Sequence, residues 1–300
     1  MKTLEIDTIQ KYNDLFGFPT RHPLVSVVHF DKSVPIETGR MNFGFYALFL
    51  KKTKGCIINY GKTRYDYDDQ TVVCFAPGQS TQIEVIEGVD NPEAIGLLFH
   101  PDLLFRTPLA QKMRDYSYFA YASNEALHLS EDERIVIEDY LTQIARELHH
   151  PIDKFSKQLI VSNIEVILNY CLRFYERQFI TREKMNSDVL ARFEALVDDY
   201  LLNGLAESRG IPSVKYFADK ICLSPNYFGD LVKNETGKSA LEYIQLKMLA
   251  KAKNDLLNPS LNTKQISASL GFQYPQHFIR FFKRQTGMTP REFQLSFNGN

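Results

Sequence analysis

Apolar and polar positions follow two different rhythms along this chain. From residue 24 to about residue 100 the apolar residues come in short β-rich runs at 24–30, 43–50, 55–60, 71–76, 82–86 and 94–100. Turn chemistry separates them, as in Gly61-Lys62, Asp68-Asp69, Pro77-Gly78 and Asp90-Asn91-Pro92. That punctuation predicts antiparallel strands in a sandwich or small barrel. No helical stretch lies between the runs, so the long crossovers that parallel pairing requires are missing.

Beyond Pro101 the period lengthens. Ser130-Glu131-Asp132-Glu133 reads as a capping box that opens a helix running to about His150, where Pro151 ends it. A second long helix, about 153–178, places Ile160, Ile164, Ile167, Cys171 and Phe174 at alternating spacings of four and three. That seam suits a helix-helix contact, either with a second subunit or within the chain. A third helix, 188–207, leads to Ser208-Arg209-Gly210-Ile211-Pro212, which reads as a joint. From Ser213 onward the helices become short.

The short helices repeat themselves. Phe217-Ala218-Asp219-Lys220-Ile221-Cys222-Leu223 aligns with Ile266-Ser267-Ala268-Ser269-Leu270-Gly271-Phe272, apolar position on apolar position. Pro225-Asn226-Tyr227-Phe228-Gly229-Asp230-Leu231-Val232-Lys233 then aligns with Pro275-Gln276-His277-Phe278-Ile279-Arg280-Phe281-Phe282-Lys283, and Glu235-Thr236-Gly237 with Gln285-Thr286-Gly287. Each copy is a short helix, a tight turn and a second helix with apolar residues at i, i+3 and i+4. This is the pattern of a helix-turn-helix, whose second helix enters the DNA major groove. A helix at 240–257, with Leu241, Ile244, Met248 and Ala252 roughly on one face, joins the two copies.

Residues 213–296 resemble the C-terminal DNA-binding domain of the AraC/XylS family of bacterial transcription regulators. The resemblance rests on Phe217-Ala218, Leu223-Ser224-Pro225 with Tyr227-Phe228, and Leu231-Val232-Lys233 with Gly237. It continues in Ile266, Gly271-Phe272, His277-Phe278 with Arg280 and Phe282-Lys283, and Gly287 with Thr289-Pro290 and Glu292-Phe293. The stretch from Gly271 to Phe293 is the more specific part. Four positions depart from the family pattern: Cys222 stands where the first turn usually has Gly, Ser267 replaces a small Ala, and Lys247-Met248 stand near a usual Arg-Leu. The resemblance implies an N-terminal cupin-like β-barrel that often binds a small effector, followed by helices that form a dimer.

Charge supports a division of labour. The chain of 300 residues has a formal net charge of −1, but residues 208–300 hold thirteen Lys/Arg against six Asp/Glu, while the remainder is acidic. A polyanion would be met by one end only. No apolar run approaches the roughly 20 residues that span a bilayer, and residues 1–10 lack a signal-type stretch, so a cytoplasmic protein with no membrane partner is expected. Cys56, Cys74, Cys171 and Cys222 stand far apart without a C-x-x-C pair, which argues against a zinc module or disulfide scaffold and reads as small buried hydrophobes.

Within the repeat, Asn226, Gly229, Asp230 and Lys233 lie opposite the apolar face of the first reading helix. Asp230 can accept from cytosine N4 but repels phosphate. On the second helix the matching positions are Gln276, Ile279, Arg280 and Lys283, with Arg284 adjacent. Gln276 suits adenine, Arg280 suits guanine or a phosphate, Ile279 suits a thymine methyl, and Lys283 and Arg284 suit phosphates. By the family resemblance Tyr274, Pro275 and His277 shape the start of that helix.

An enzyme is not expected. A cupin-type metal site commonly begins with a His-x-His pair on a strand, which is absent; His29 and His100 are isolated and His149-His150 diverge on a helix. No glycine-rich phosphate loop or nucleophile arrangement stands out, and no cofactor or metal is expected. A sensor would line its pocket with Phe43, Phe45, Tyr46, Tyr60 and Tyr65, although each also suits an aromatic core. Lys51-Lys52-Lys54 reads as a solvated hairpin tip.

The resulting expectation is an α+β chain of three parts: a cupin-like β-barrel and effector domain at 1–125, a helical dimerisation and linker region at 126–207, and an all-α DNA-binding domain at 208–300 with helix-turn-helix units at about 213–237 and 262–287. Its partners would be double-stranded DNA, an unidentified small-molecule effector, a second copy of itself and, for the activator that the resemblance implies, RNA polymerase. The alternatives are a DNA-binding regulator without a ligand, controlled by a partner protein or by its own level, and a cupin-type metal enzyme.

Overall fold

The computed structural model describes residues 3–31, 34, 39–52, 56–59, 70–85, 93–122 and 125–298. Its first elements are ones that the apolar runs do not announce. β1 (Thr3–Ile6) is followed by α1 (Ile9–Phe16), where the Thr8 hydroxyl accepts the Lys11 N–H at 3.2 Å. Ile9, Tyr12, Asn13 and Phe16 form its buried face, and Gly17 closes it in the left-handed conformation.

Eight strands follow: β2 (Val25–Phe30), β3 (Gly39–Phe43), β4 (Tyr46–Lys51), β5 (Cys56–Asn59), β6 (Thr71–Phe75), β7 (Ser80–Val85), β8 (Ala94–Phe99) and β9 (Leu127–His128). They make two sheets, ordered β1-β3-β7-β5 and β2-β8-β4-β6-β9. All pairings are antiparallel except β1 with β3. The apolar run at 43–50 is therefore not one strand but a corner between sheets. Gly44 makes the corner: its N–H donates to the Ile6 carbonyl at 2.8 Å, and a Cβ there would lie 2.7 Å from the Asp7 carbonyl oxygen.

The sheets share a core. Met41 and Phe43 from one sheet meet Val28, Phe30, Ala47, Val73, Phe75 and Leu98 from the other, with Ile9, Tyr12 and Phe16 of α1 filling the remaining space. Among the described strands no hydrogen-bonded ladder joins the sheets, so the expected barrel is found as two separate sheets and not as a closed one. Lys51, expected at a solvated tip, is 1% exposed, because β4 runs between β8 and β6 and carries it into the sheet. Lys52 pairs with Glu138 at 3.0 Å.

Beyond β8 come a 3-10 turn (Pro101–Leu104), α2 (Pro108–Lys112) and two further 3-10 turns that bring Tyr116, Tyr118 and Phe119 inward. Phe119 packs edge-on against Tyr46 and Phe99, on the side of β4 and β8 facing away from the shared core. α3 (Glu131–Glu147) begins at the Ser130–Glu133 capping box, both halves of which are formed. α4 (Ser156–Thr181) packs along α3. Its seam of Ile160, Ile164, Ile167, Cys171 and Phe174 is buried inside this unit, none more than 6% exposed. Tyr118 Oη donates to the Leu168 carbonyl at 2.9 Å, and Gln178 bonds the backbone of Ala126 and His128, so α4 is tied to the preceding turns. Burial pushes the Cys171 thiol up to about 12 and that of Cys74 upward as well, the behaviour of small apolar residues.

The chain divides into two compact units, Met1–Thr181 and Arg182–Asn300. The second is all helical: α5 (Glu183–Leu202), α6 (Leu205–Arg209), α7 (Val214–Ile221), α8 (Pro225–Thr236), α9 (Ala240–Leu256), α10 (Thr263–Ser269), α11 (Pro275–Thr286) and α12 (Pro290–Asn298). The division falls ahead of α5, whereas the sequence reading places the joint at 208–212. α5 sends Phe193, Val197, Tyr200 and Leu201 into the core formed by α7 to α11, and Gly204, at φ 74°, separates it from α6. No helix among the described residues is long and apolar enough to cross a membrane.

Phe193 is the test of this assignment. Its ring is fully buried, and replacing Phe193 with Ala should cost about 3–5 kcal/mol. Urea unfolding followed through the second unit reads that loss; a change below about 1 kcal/mol would place α5 outside the core.

Candidate nucleic-acid interface

The two helix-turn-helix copies share the length and the C-terminal capping of their second helices. α8 and α11 have twelve residues each, begin at Pro225 and Pro275, and end at Gly237 and Gly287 in the left-handed conformation. Thr236 Oγ1 donates to the Val232 carbonyl at 2.7 Å, and Thr286 Oγ1 to the Phe282 carbonyl at 2.8 Å. The next helix then starts at Ser239 with Glu242 in one copy and Thr289 with Glu292 in the other, each pair bonded reciprocally. Those bonds hold both carboxyl groups below the usual carboxylate range.

Periodicity decides which face of each reading helix is free. Phe228, Leu231 and Val232 in α8, and Phe278, Phe281 and Phe282 in α11, turn inward and are buried. On the outer side of α8, Asn226 and Lys233 are exposed and Gly229 and Asp230 are half-buried. On α11, Gln276, Ile279, Arg280, Lys283 and Arg284 are all exposed and Pro275 is half-buried. Each set named from the sequence therefore shares one helix surface. His277 is exposed and stands edge-on to the Tyr274 ring at 5.6 Å, beside the start of α11.

The copies differ at their turns. Cys222 closes α7 at φ 65°, a left-handed conformation that is costly for a residue with a Cβ; Gly271 makes the same turn at φ 86°. Cys222 is exposed, so it is not one of the small buried hydrophobes, because the residue at the tip of this turn faces solvent. Ser224 caps α8 by accepting the Tyr227 N–H at 3.2 Å, whereas Tyr274 at the start of α11 offers no side-chain cap. Ser267 is buried and its hydroxyl has no hydrogen-bond partner among the described residues.

Side chains from α5 brace the frame. Tyr243 on α9 donates to Glu194, and Lys247 pairs with Asp198 at 3.1 Å. Burial first and Glu194 second push the Tyr243 phenol up to about 12. Lys247, which departs from the family pattern, thus serves the contact between α9 and α5. The sequence signal for α5 was present in the spacing of Phe193, Val197 and Tyr200, four and three residues apart, but the acidic residues among them resembled the preceding helices.

Of the residues named for a sensor site, Phe43, Phe45 and Tyr46 belong to the first unit. Phe43 and Phe45 are buried in the shared core of the first unit and stack on each other at 5.5 Å. Tyr46 points to the opposite side of β4, stacked on Phe99. Tyr60 and Tyr65 lie outside the described residues. Among the described residues no group of three His, Cys, Asp or Glu is placed to hold a metal ion.

Residues 217–296 match the family model described as a helix-turn-helix domain. The chain is 32% identical over 100 residues to the uncharacterized transcriptional regulatory protein YesN of Bacillus subtilis, covering 32% of this chain and 27% of that one. It is 26% identical over 142 residues to the arabinose operon regulatory protein of Salmonella typhimurium, 47% of each chain. With the probable transcriptional regulator LumQ of Photobacterium leiognathi it shares 22% identity over 241 residues, 78% of this chain and 86% of that one. The chain spans about a third or less of the length of several curated relatives it matches.

The unequal turns yield a stability test. Replacing Cys222 with Gly removes the Cβ penalty of the left-handed conformation, offset in part by the freer unfolded chain, and should stabilise the second unit by about 0.5–1 kcal/mol in urea denaturation. A loss of stability would show that the thiol packs favourably in the turn.

Proposed function

Starting from the AraC-type helix-turn-helix domain at residues 217–296, we propose that this protein is a sequence-specific DNA-binding transcription regulator whose α8 and α11 read two sites on one duplex. The observation that carries the reading is the pair of twelve-residue helices that begin at a proline, end at a left-handed glycine and bury matching apolar faces, each with polar residues on its outer side. A single copy of the motif would suffice for one groove; the second copy offers a surface for another.

The roles follow from chemistry. α11 presents two guanidinium groups, an ammonium and an amide, a set that supplies both phosphate attraction and base contacts. Gln276 and Arg280 are the base readers, Ile279 touches a thymine methyl, and Lys283 and Arg284 hold phosphates. α8 offers Asn226, Gly229, Asp230 and Lys233, in which one carboxylate offsets one ammonium. Its contribution is selectivity more than attraction.

The first unit, in the same reading, senses a small molecule and presents a surface to a second copy of the chain, and the whole acts as a cytoplasmic activator that meets RNA polymerase. Support for this comes from the order of a sheet-rich part, long helices and the helix-turn-helix domain. Because the α4 seam is covered within the chain, a second copy would use other residues; Ile152, Phe155 and Leu159, exposed around the start of α4, are suited to it. An effector would act by shifting the population of chains able to engage both sites.

Two measurements test the DNA reading. With duplexes selected from a random pool by the full-length protein, Arg280→Ala should weaken binding by about 1–3 kcal/mol and relax preference at one base pair. An unchanged binding curve removes Arg280 from the interface. Affinity should also fall steeply with added salt, because each Lys or Arg on a phosphate releases condensed counterions; a flat profile contradicts a phosphate-bound surface.

A further inference from the structure

Two readers on one chain can act on one duplex only if their separation is held. α9 connects them, and its seventeen residues make a rod about 25 Å long. A swing of about 10° at one end of such a rod displaces a reader by about 4 Å, more than the ~3.4 Å between neighbouring base pairs. A single rod is therefore not enough to specify spacing to one base pair.

The structure contains a second connection. α5 packs on α7, α8 and α9, with Phe193 edge-on to Phe217 and Phe228 and Tyr200 edge-on to Tyr216 and Phe217. α6, continuing from α5, packs on α10 of the other copy. Just past α6, the Tyr200 hydroxyl donates to the Gly210 carbonyl at 3.1 Å. The peptide from Gly210 to Ile211 lies directly against Gly271, the turn glycine of the second helix-turn-helix. A Cβ on Gly271 would stand 2.4 Å from the Gly210 carbonyl carbon, 2.5 Å from its oxygen and 2.7 Å from the Ile211 nitrogen.

The first copy serves as an internal control. It makes the corresponding turn with Cys222, also in the left-handed conformation, so the turn itself tolerates a side chain. What excludes a side chain at Gly271 is the close approach of the Gly210 peptide.

We propose that Tyr200, Gly210 and Gly271 form a clasp that fixes α11 relative to α8 and so sets the base-pair spacing the protein accepts between its two sites. These are positioning residues; none lies on the outer faces of the reading helices. The proposal rests on the DNA reading above for its consequence, and on the geometry of the second unit for its mechanism. Loss of the Tyr200–Gly210 bond removes no contact within either helix-turn-helix, so it should loosen their mutual placement before the fold of either copy.

The experiment has two arms on the full-length protein. In the first, spin labels at Asn234→Cys and Met288→Cys, in a Cys222→Gly background, report the distance between the two copies without DNA. Tyr200→Phe, which keeps the ring, and Gly271→Asn, which suits the left-handed turn but restores a Cβ, should each broaden a distance distribution that is narrow in the parent. An unchanged distribution in both overturns the clasp. Should Gly271→Asn fail to fold, Tyr200→Phe alone carries the test. In the second arm, duplexes selected by the unmodified protein are rebuilt with one site, two sites, and two sites with one base pair added or removed. Affinity of the variants for one site should stay within about twofold, affinity for two correctly spaced sites should fall about tenfold, and the penalty for altered spacing should shrink. Equal losses on one-site and two-site duplexes would mean a general loss of fold and overturn the spacing role. If the unmodified protein selects no duplex, the DNA reading fails by itself, while the clasp still stands or falls on the spin-label distances.

Discussion

The packing of Phe193 among Phe217, Phe228 and Tyr243 is the contact on which the helical unit depends. One ring from α5 touches the docking helix of the first copy, its reading helix and the helix that joins the copies. Remove that contact and α7, α8 and α9 keep their own amphipathic faces but lose the surface that orients them together. The ion pair of Lys247 with Asp198 and the bond from Tyr243 to Glu194 lie along the same seam and add direction to a contact whose energy is chiefly apolar burial.

Much of this architecture is legible in the sequence. The Ser130–Glu133 capping box, the buried stripe of α4 and five of the six apolar runs, all but the one at 43–50, each state a local physical requirement, and local requirements survive folding. The duplicated motif was legible for a stronger reason: two copies of one pattern in one chain check each other. The failures share a different cause. β1 is four residues long and is held by parallel pairing to β3, a non-local contact with no signature in its own residues. The corner at Gly44 depends on the approach of Asp7, some forty positions earlier. Lys51 looks solvated beside Lys52 and Lys54, and only the flanking of β4 on both sides buries it. α5 packs with the helices after residue 208 although composition turns basic only there, because charge composition does not report which helices pack together.

The two units solve different problems with aromatic residues. In the first, Tyr12, Phe16, Phe30, Phe43, Phe45 and Phe75 fill the space between the sheets, mostly through edge-on contacts with one stacked pair. In the second, the aromatic residues sit at junctions between elements, where they convert separate amphipathic helices into a frame. A frame of that kind can hold two surfaces at a fixed angle while leaving both uncovered.

The inequality of those two surfaces gives the molecule an arrow. One reading helix is capped by serine and carries a carboxylate; the other is uncapped and strongly cationic. A copy lying on a duplex would consequently have a head and a tail, and its recognition element need not be a palindrome. Turning the element around on the chromosome would turn the whole molecule with it, so that whatever the protein touches upstream would afterwards lie downstream.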